Sequence, residues 1–418
     1  MDRLQGKRLL ILGGAAQCRK VVDAAKELGI YTIITDISPN KGTAEAADEV
    51  LSYSVMDAAS IIRYCEEHPV DGVLNFCING AQRTQQAVCG HFGFPCFGDR
   101  DQYELFSDKE RFKALCIRNG VDIIPTYTEE QALRGECAFP ILIKPSDSAG
   151  SRGISVCETA AEVAPAIGLA RKGSTNGNVI IEKCMRGRQD LSISFVVVNG
   201  EPHLVKISDR HLGRREDDLD RQAIGIVSPS GHCDMFMRKV YGRVVGMIRD
   251  AGIQNGPVSM QGFVDGDTVR FYDPAFRFFG GEYELLLASA AGYDAMREMC
   301  VYALTGAFSQ VPPEDVFLLG GKHALELFVD SRPGRIGSFT GLDAIAAFPE
   351  TVNVSQKHFP GDEIPATGDI GQRVCELDFL TEGPSASRAV CVRAFSVLRV
   401  ADGEGANMLT SLLDPEKI

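Results

Sequence analysis

A loop of small residues that follows a basic strand carries the clearest chemistry in the sequence. In the run FPILIKPSDSAGSRGI, an apolar strand delivers Lys144 into this loop, whose small residues include Ser148, Gly150, Ser151 and Gly153. Small residues let backbone N–H groups approach phosphate oxygens closely, and a lysine supplies the charge that those dipoles lack. The P-loop pattern G-x-x-x-x-G-K-[ST] does not occur in the chain. The loop therefore predicts a phosphate site of another class, with a solvated turn as the alternative for such a loop taken alone.

The order of charged residues around this loop indicates which kind of phosphate-binding protein the sequence resembles. In chain order they are Lys109, Lys144, Glu182, Lys183, Asp190, Asp273 and Arg277. This order, with the phrases KPSDSAGSRGI, IIEKCMRGRQDLSISF and FYDPAFRFFGG, resembles the ATP-grasp superfamily of the carboxylate–amine ligase type. The resemblance covers residues 1–315, and similar proteins include L-amino-acid ligases and proteins like carbamoyl-phosphate synthase and phosphoribosylglycinamide synthetase.

The resemblance implies that ATP lies between two α+β lobes. The implied ATP-binding residues are Lys109, Lys144, Ser148, Gly150, Ser151, Gly153, Glu182, Lys183, Met185 and Asp190. The two phosphate-contacting lysines are Lys109 and Lys144, and Asp190 accepts hydrogen bonds from the ribose hydroxyls. Adenine is read by Glu182 and by the backbone of Lys183 and Met185. The alternatives are a solvated charge at a helix start for Lys109 and a surface charge at a strand end for Glu182.

The metal-binding positions that the resemblance implies are unusual in this chain. They hold Gln261, Asp273 and Ala275, which together supply one carboxylate and one amide oxygen. Because Mg²⁺ keeps several waters and can be held mainly by phosphates and one carboxylate, one ion bridging ATP and Asp273 is expected, with Mn²⁺ as a substitute.

The implied reaction is ATP-dependent ligation of a small-molecule carboxylate to an amine, with release of ADP and phosphate. The implied catalytic residues are Arg277 and Lys144, because a guanidinium fork and a lysine can stabilise an acyl phosphate during its formation. A structural ion pair between Asp273 and Arg277 is the alternative reading of FYDPAFRFFGG.

A second basic segment follows a predicted hairpin strand. It contains Lys206, Arg210 and His211, and it is expected either to contact substrate or phosphate or to be a solvated loop facing Asp217, Asp218 and Asp220. Gly280, next to the arginine strand, is a further candidate for substrate contact.

The elements that must position these residues alternate between strand and helix over the first hundred residues. This pattern predicts an α/β doubly wound parallel sheet at residues 1–107. An α+β catalytic domain is expected at 108–315, with a flexible lid at about 116–182 and a hairpin across Asn199-Gly200. A small β-rich domain is expected at 316–418, in which Val390–Val400 reads as a strand.

Composition sets the limits on partners and compartment. The net charge of −13 argues against nucleic acid and anionic membranes as partners. The 13 cysteines are scattered singly, as reduced buried thiols are, and no apolar run is long enough to span a bilayer. A cytoplasmic enzyme without a signal peptide is the expectation, and a homodimer is implied by the resemblance alone.

Two other functions remain open from the sequence. Gln261 and Ala275 favour an ATP-grasp protein that binds nucleotide with weak or no turnover. The first strand is followed by the turn Gly13-Gly14 and later by Asp36, an order similar to the start of a dinucleotide-binding fold, although the turn lacks G-x-G-x-x-G. A dinucleotide-dependent oxidoreductase is therefore the more distant alternative.

Overall fold

The first part of the chain is a parallel α/β unit. The computed structural model describes residues 4–78, 80–146, 153–213, 222–367 and 370–418. The elements of this unit are β1 (Arg8–Leu12), α1 (Arg19–Glu27), β2 (Tyr31–Thr35), α2 (Lys41–Ala46), β3 (Glu49–Leu51), α3 (Ala58–Glu67), β4 (Gly72–Leu74), α4 (Ala81–Phe92) and α5 (Arg100–Leu105). Its strands pair in parallel in the order β3-β2-β1-β4.

Strand β1 shows why this part of the sequence reads as a continuous apolar run. Leu9 and Ile11 enter one buried core, whereas Leu10 and Leu12 enter another on the opposite face of the sheet. A parallel sheet covered on both faces needs apolar residues at every position of its strands. The predicted doubly wound arrangement is confirmed.

A small lobe follows, with its own core. Its elements are α7 (Glu129–Leu133), β5 (Ile141–Pro145), β6 (Ser155–Cys157), α8 (Val163–Lys172) and β7 (Val179–Lys183), whereas the preceding helix α6 (Lys109–Arg118) packs Phe112, Leu115 and Cys116 into the main core. The antiparallel sheet β6-β5-β7 packs Ile141 and Ile143 against α8. Because side chains alternate along a strand, Leu142 and Lys144 point to the other face, which lines a cavity. From α7 to β7 the lobe spans residues 129–183, which is most of the predicted lid at about 116–182, and its movement remains a prediction.

One antiparallel sheet occupies the rest of the chain. Its elements and the helices between them are β8 (Asp190–Val198), β9 (Glu201–Gly213), β10 (Gln222–Ser228), α9 (Cys233–Lys239), α10 (Tyr241–Asp250), β11 (Gly256–Asp265), β12 (Thr268–Ala275), α11 (Tyr283–Ala291), α12 (Ala295–Thr305) and β13 (His323–Ser331). The C-terminal elements are β14 (Gly334–Arg335), β15 (Ser338–Thr340), α13 (Leu342–Ala346), β16 (Thr351–Gln356), β17 (Glu363–Ile364), β18 (Arg373–Thr381), α14 (Pro384–Val397), β19 (Arg399–Ala401) and β20 (Leu409–Thr410).

The large sheet has the strand order β12-β11-β8-β9-β10-β13-β18-β16, with β20 paired to β13. The predicted hairpin between β8 and β9 is confirmed, since Asn199 and Gly200 both have positive φ, at 51° and 83°. Strands β13, β18 and β16 continue the sheet beyond residue 316. The predicted domain boundaries therefore remain proposals, and the second of them crosses one continuous sheet.

Two sequence predictions in this part are wrong. Val390–Val400, expected as a strand, is mostly the helix α14, which starts with Pro384 at its first turn. The buried positions Val390, Cys391 and Ala394 have helical spacing, and this outweighs the β-branched composition of the run. The helix expected over Asp234–Ala251 is two helices, α9 and α10, which meet at Val240, where φ is −118°.

No helix in the described part of the chain has the length and apolar character needed to cross a membrane.

Candidate nucleotide and substrate site

A cavity of about 1030 Å³ collects most of the predicted site residues. Those that line it are Lys109, Lys144, Glu182, Lys183, Met185, Asp190, Arg210, His211, Gln261, Asp273 and Arg277. Ser148, Gly150 and Ser151 lie outside the described residues. The remaining three do not line this cavity: Gly153 packs near Pro145, Gly280 is exposed, and Lys206 is buried 3.3 Å from Glu326.

The small lobe contributes a buried carboxylate held by two lysines. Glu182 on β7 lies 2.6 Å from Lys144 Nζ on β5 and 2.5 Å from Lys113 Nζ on α6. Burial alone would raise the pKa of Glu182, but Lys144 and Lys113 outweigh burial and hold it at about 2. Both Glu182 oxygens therefore have protein partners, and this differs from the predicted role of the side chain in binding adenine.

The segment after Glu182 remains suited to an adenine edge. The N–H groups of Lys183 and Cys184 donate to the carbonyls of Pro125 and Pro140, both at 2.9 Å. The Met185 N–H has no acceptor among the described residues, although Met185 lines the cavity. A backbone donor of this kind can bind a ring nitrogen of a purine.

Lys109 connects this wall of the cavity to the large sheet. Its Nζ lies 3.9 Å from Asp273 Oδ1 on β12. Burial, and then the charge of Lys144, lower the pKa of Lys109. Two lysines close enough to repel each other create a site that an anion would stabilise.

The wall formed by the large sheet contains a second buried carboxylate. Asp190 on β8 faces Arg210 on β9, and the two form an ion pair. Tyr272 OH lies 3.1 Å from both Asp190 oxygens and 3.0 Å from Gln261 Oε1, so its single proton can serve only one of these acceptors. Burial raises the pKa of Asp190 to about 6, and Arg210 opposes this rise. Asp190 and Arg210, predicted separately for ribose and substrate, thus bind each other.

The implied metal ligands lie side by side on neighbouring strands. Gln261 on β11 is the register partner of Asp273 on β12, and Ala275 faces Ser259. Across the described ranges, no group of three or more His, Cys, Asp or Glu side chains is placed to hold a metal ion. One half-exposed carboxylate and one amide oxygen fit an ion that takes its other ligands from phosphates and water.

Arg277 lies two residues beyond the end of β12. Its Nη1 donates to the carbonyl of Phe278 at 2.6 Å, and no ion pair joins it to Asp273 although both residues are described. The predicted alternative of an Asp273–Arg277 ion pair is therefore wrong, because Asp273 lies beside Lys109 instead. Burial lowers the pKa of Arg277, while Cys77 and Asp273 oppose this shift.

The basic segment is part of strand β9 and is not a solvated loop over its described residues, which end at Gly213. The Nε2 atom of His211 is buried and has no hydrogen-bond partner in the described part of the chain, and burial lowers the pKa of His211. The structure leaves its predicted contact with substrate as a proposal.

Side chains of the protein itself occupy the space beside the Gly13-Gly14 turn of the N-terminal unit. The N–H of Gly14 donates to Asp36 Oδ2 at 2.9 Å, and a Cβ at Gly14 would lie 2.6 Å from Pro39. A Cβ at Gly13 would lie 2.8 Å from Ile78. Asp36 is thus occupied within the turn, which argues against a ribose contact by this residue.

Sequence reasoning missed three groups of residues: Lys113, which holds Glu182 without lining the cavity, and two groups that line it. Lys113 is one helical turn from Lys109, a spacing that could have suggested it. Tyr272 precedes Asp273 on an ordinary strand, and the segment 411–414 with Lys417 reaches the cavity only through the tertiary fold.

Comparisons with known proteins agree with this geometry. Residues 104–239 match the family model of the carbamoyl-phosphate synthase L chain, ATP binding domain. The formate-dependent phosphoribosylglycinamide formyltransferase of Bacillus subtilis is 24% identical over 235 residues, covering 53% of this chain and 61% of that protein. In this relative, a second formate-dependent phosphoribosylglycinamide formyltransferase from Bacillus velezensis and the 2-oxoglutarate carboxylase small subunit of Hydrogenobacter thermophilus, the match spans between 52% and 61% of the relative's own length.

Solved structures resemble the chain over nearly its whole length. The biotin carboxylase domain of Hydrogenobacter thermophilus 2-oxoglutarate carboxylase, a dimer in complex with MgADP, ADP and bicarbonate, has a TM-score of 0.78 at 19% identity and covers 97% of this chain and 92% of that one. The L-amino acid ligase of Bacillus licheniformis has a TM-score of 0.77 at 16% identity, with 95% and 99% covered. The chain therefore has the fold of these solved structures, and its residues 104–239 are similar to the ATP-binding domain of the carbamoyl-phosphate synthase L chain family.

Proposed function

We propose that this protein is an ATP-dependent ligase that activates a small-molecule carboxylate and joins it to an amine. The observation that carries the proposal is the convergence of Lys109, Lys144, Asp273 and Arg277 on one cavity. Two cations for phosphates, one carboxylate for a metal ion and one guanidinium for an acyl group are the parts that phosphoryl transfer to a carboxylate requires.

Nucleotide binding follows from the two walls of the cavity. The Met185 N–H donates to adenine, and Lys109 and Lys144 bind the phosphates. Asp273, with Gln261 beside it, would hold Mg²⁺, and the ion would supply positive charge for phosphoryl transfer. The mutual repulsion of the two lysines, which favours loss of a proton from Lys109 in the empty site, is relieved by the anionic ligand.

The chemical step transfers the γ-phosphoryl group to an oxygen of the carboxylate, forming an acyl phosphate and ADP. The amine then attacks the acyl carbon and loses a proton, and phosphate leaves with the former carboxylate oxygen. Arg277 orients the carboxylate and stabilises its charge through its planar fork. One relative is named as formate-dependent, one similar structure contains bicarbonate and another is an L-amino acid ligase, and this range supports a small carboxylate without selecting one.

The proposal is tested by ADP release with ATP, Mg²⁺ and pools of small carboxylates and amines. Lys144→Ala is expected to abolish substrate-dependent ADP formation, whereas Lys172→Ala, an exposed change in the same lobe, is expected to leave it intact. Thermal melting of both variants separates loss of the site from loss of the fold. Absence of ADP with every pool from a folded protein that binds ATP would contradict the ligase proposal.

A nucleotide-binding protein with weak or no turnover is the second candidate. It is favoured by Gln261 and Ala275, which leave Asp273 as the one carboxylate among the three implied metal positions. Nucleotide binding that does not depend on Mg²⁺, together with the absence of ADP formation, is the result expected for that candidate. The occupied turn at Gly14 and Asp36 gives the dinucleotide-dependent oxidoreductase no support. A homodimer and small-molecule partners remain expectations.

A further inference from the structure

The N-terminus of α4 opens into the same cavity from the N-terminal unit. Helix α4 follows β4, and the strand order reverses between β1 and β4. In open α/β sheets, ligands bind at this reversal, outside the carboxyl ends of the strands. The β1 side of the crevice is filled by Pro39 and Ile78, whereas Gly80, Gln82 and Arg83 of the β4 side line the cavity.

This helix start has donors without acceptors. The N-cap residue is Gly80, so no side chain caps the helix, and its first turn contains no acidic residue. Among the described residues, no group accepts a hydrogen bond from the N–H of Ala81 or of Gln82. A 12-residue helix with free N–H groups at its start attracts an anion, because those groups carry partial positive charge.

The side chain of Gln82 is an independent indication of a ligand. Gln82 is only 6% exposed, lines the cavity, and makes no side-chain hydrogen bond to any described residue. Its amide is open to the cavity, where the oxygens of a ligand can accept its hydrogen bonds. Gln85, one turn further into the helix, is satisfied by the carbonyl of Val73 at 3.2 Å.

The charges around this position favour an anion over a cation. Arg83 follows Gln82, and its guanidinium is mostly exposed, 3.9 Å from Glu104. Arg277 lines the same cavity. The cavity wall at the start of α4 therefore presents a helix N-terminus, an amide and an arginine. The first turn of α4 contains no carboxylate.

We propose that the start of α4, with Gln82, binds an anionic group of the substrate, a carboxylate or a phosphate. The Gln82 amide and the N–H groups of Ala81 and Gln82 donate to its oxygens, and Arg83 adds charge. This inference rests on the proposed function, since it assigns the substrate end of the same cavity, and it makes Gln82 a determinant of substrate class.

The test uses the full chain with a nonhydrolysable ATP analogue and Mg²⁺, so that nucleotide phosphate contacts are filled. Thermal melting is followed as acetate or inorganic phosphate is added, with sodium chloride at equal ionic strength as reference. Wild type is expected to show saturable stabilisation by acetate, by phosphate or by both. Gln82→Glu, which places a carboxylate at the site, is expected to weaken this response about tenfold or more, the scale of hydrogen bonds to a charged group.

The matched control is Gln86→Glu, the same change one turn along α4 and outside the cavity lining, which is expected to respond as wild type. Gln82→Met replaces Gln82→Glu if the latter fails to fold. A response to acetate alone assigns a carboxylate, and a response to phosphate alone assigns a phosphorylated substrate. Identical responses of wild type and the Gln82 variant, or no response beyond that of chloride, would overturn the inference. Stabilisation by the nucleotide analogue is recorded separately, so a failed nucleotide site and a failed anion site are distinguished.

Discussion

Each of the two walls of the cavity buries a carboxylate, and the pKa values of the two carboxylates shift in opposite directions. On the small lobe, Glu182 lies between two lysines, and its pKa falls to about 2. On the large sheet, Asp190 has one cationic partner, Arg210, and its pKa rises to about 6. Burial opposes ionisation in both cases; two lysines outweigh it at Glu182, whereas one arginine does not at Asp190, whose pKa the charge of Asp273 also raises. The small lobe thus keeps an excess of positive charge for phosphates, whereas the pair on the sheet is balanced.

The largest expected effect comes from removing the carboxylate of the small lobe. Glu182→Gln leaves Lys113 and Lys144 without their shared counter-charge in a buried position, and this is expected to lower the free energy of unfolding by about 3–5 kcal/mol. Urea unfolding measures the change. Glu130→Gln removes the partner of Arg134 in an exposed ion pair and is the matched control, for which little change is expected. Equal stability losses in both variants would contradict the account of the small-lobe wall.

The pH dependence of stability should distinguish the two walls. Glu182 has its pKa lowered from 4.5, so its contribution is present above pH 4.5 and is lost as the pH falls through about 2. Asp190 has its pKa raised from 3.8, so its contribution is full below that pH and is lost as the pH rises through about 6. Asp190→Asn is expected to remove a decline on the order of 3 kcal/mol in the free energy of unfolding between pH 4 and 6.

Urea titrations at pH 4, 5, 6 and 7 on wild type and Asp190→Asn provide the measurement. The variant should show a flatter profile over this window, whereas Glu182→Gln should keep the decline. An unchanged decline in Asp190→Asn would show that another group titrates there.

The smallest expected effect concerns the metal position, where the sheet wall meets the phosphates. Asp273→Asn is expected to weaken ATP binding about tenfold when Mg²⁺ is present and to leave Mg²⁺-free binding almost unchanged, since a single carboxylate is removed from the ion. Gln261→Glu adds a carboxylate beside it and should lower the Mg²⁺ concentration needed for half-maximal binding. Calorimetric titration with and without Mg²⁺ tests both variants. An equal loss of ATP affinity with and without Mg²⁺ would mean that Asp273 supports the structure of the site and does not bind the metal ion.

The sequence predicted the fold and several site residues because their signals are local. A strand that ends in Lys144 and a glycine loop, and a strand that carries Asp273 before Arg277, are contiguous patterns that survive without tertiary information. The partners of the buried acids are not contiguous. Glu182 meets Lys113 from a helix 69 residues earlier, and Asp190 meets Tyr272 82 residues later, so the sequence assigned both acids to the nucleotide instead.

The error at Val390–Val400 has a related cause. Four valines in that run favour a strand by composition, but the residues that become buried follow helical spacing, and packing against the sheet decides the structure. Strand β10 pairs with β13, which lies about a hundred residues later in the chain, and such a pairing has no local signal.

The central claim is that ATP activates a carboxylate in this cavity, and oxygen-18 water tests it most directly. The complete reaction, with carboxylate and amine pools, is run in H₂¹⁸O, and the released phosphate is examined by mass spectrometry at early times. Ligation through an acyl phosphate predicts ADP with phosphate that contains no water oxygen, because its fourth oxygen comes from the carboxylate. Phosphate carrying one ¹⁸O atom would mean that water attacks ATP, and it would contradict the claim.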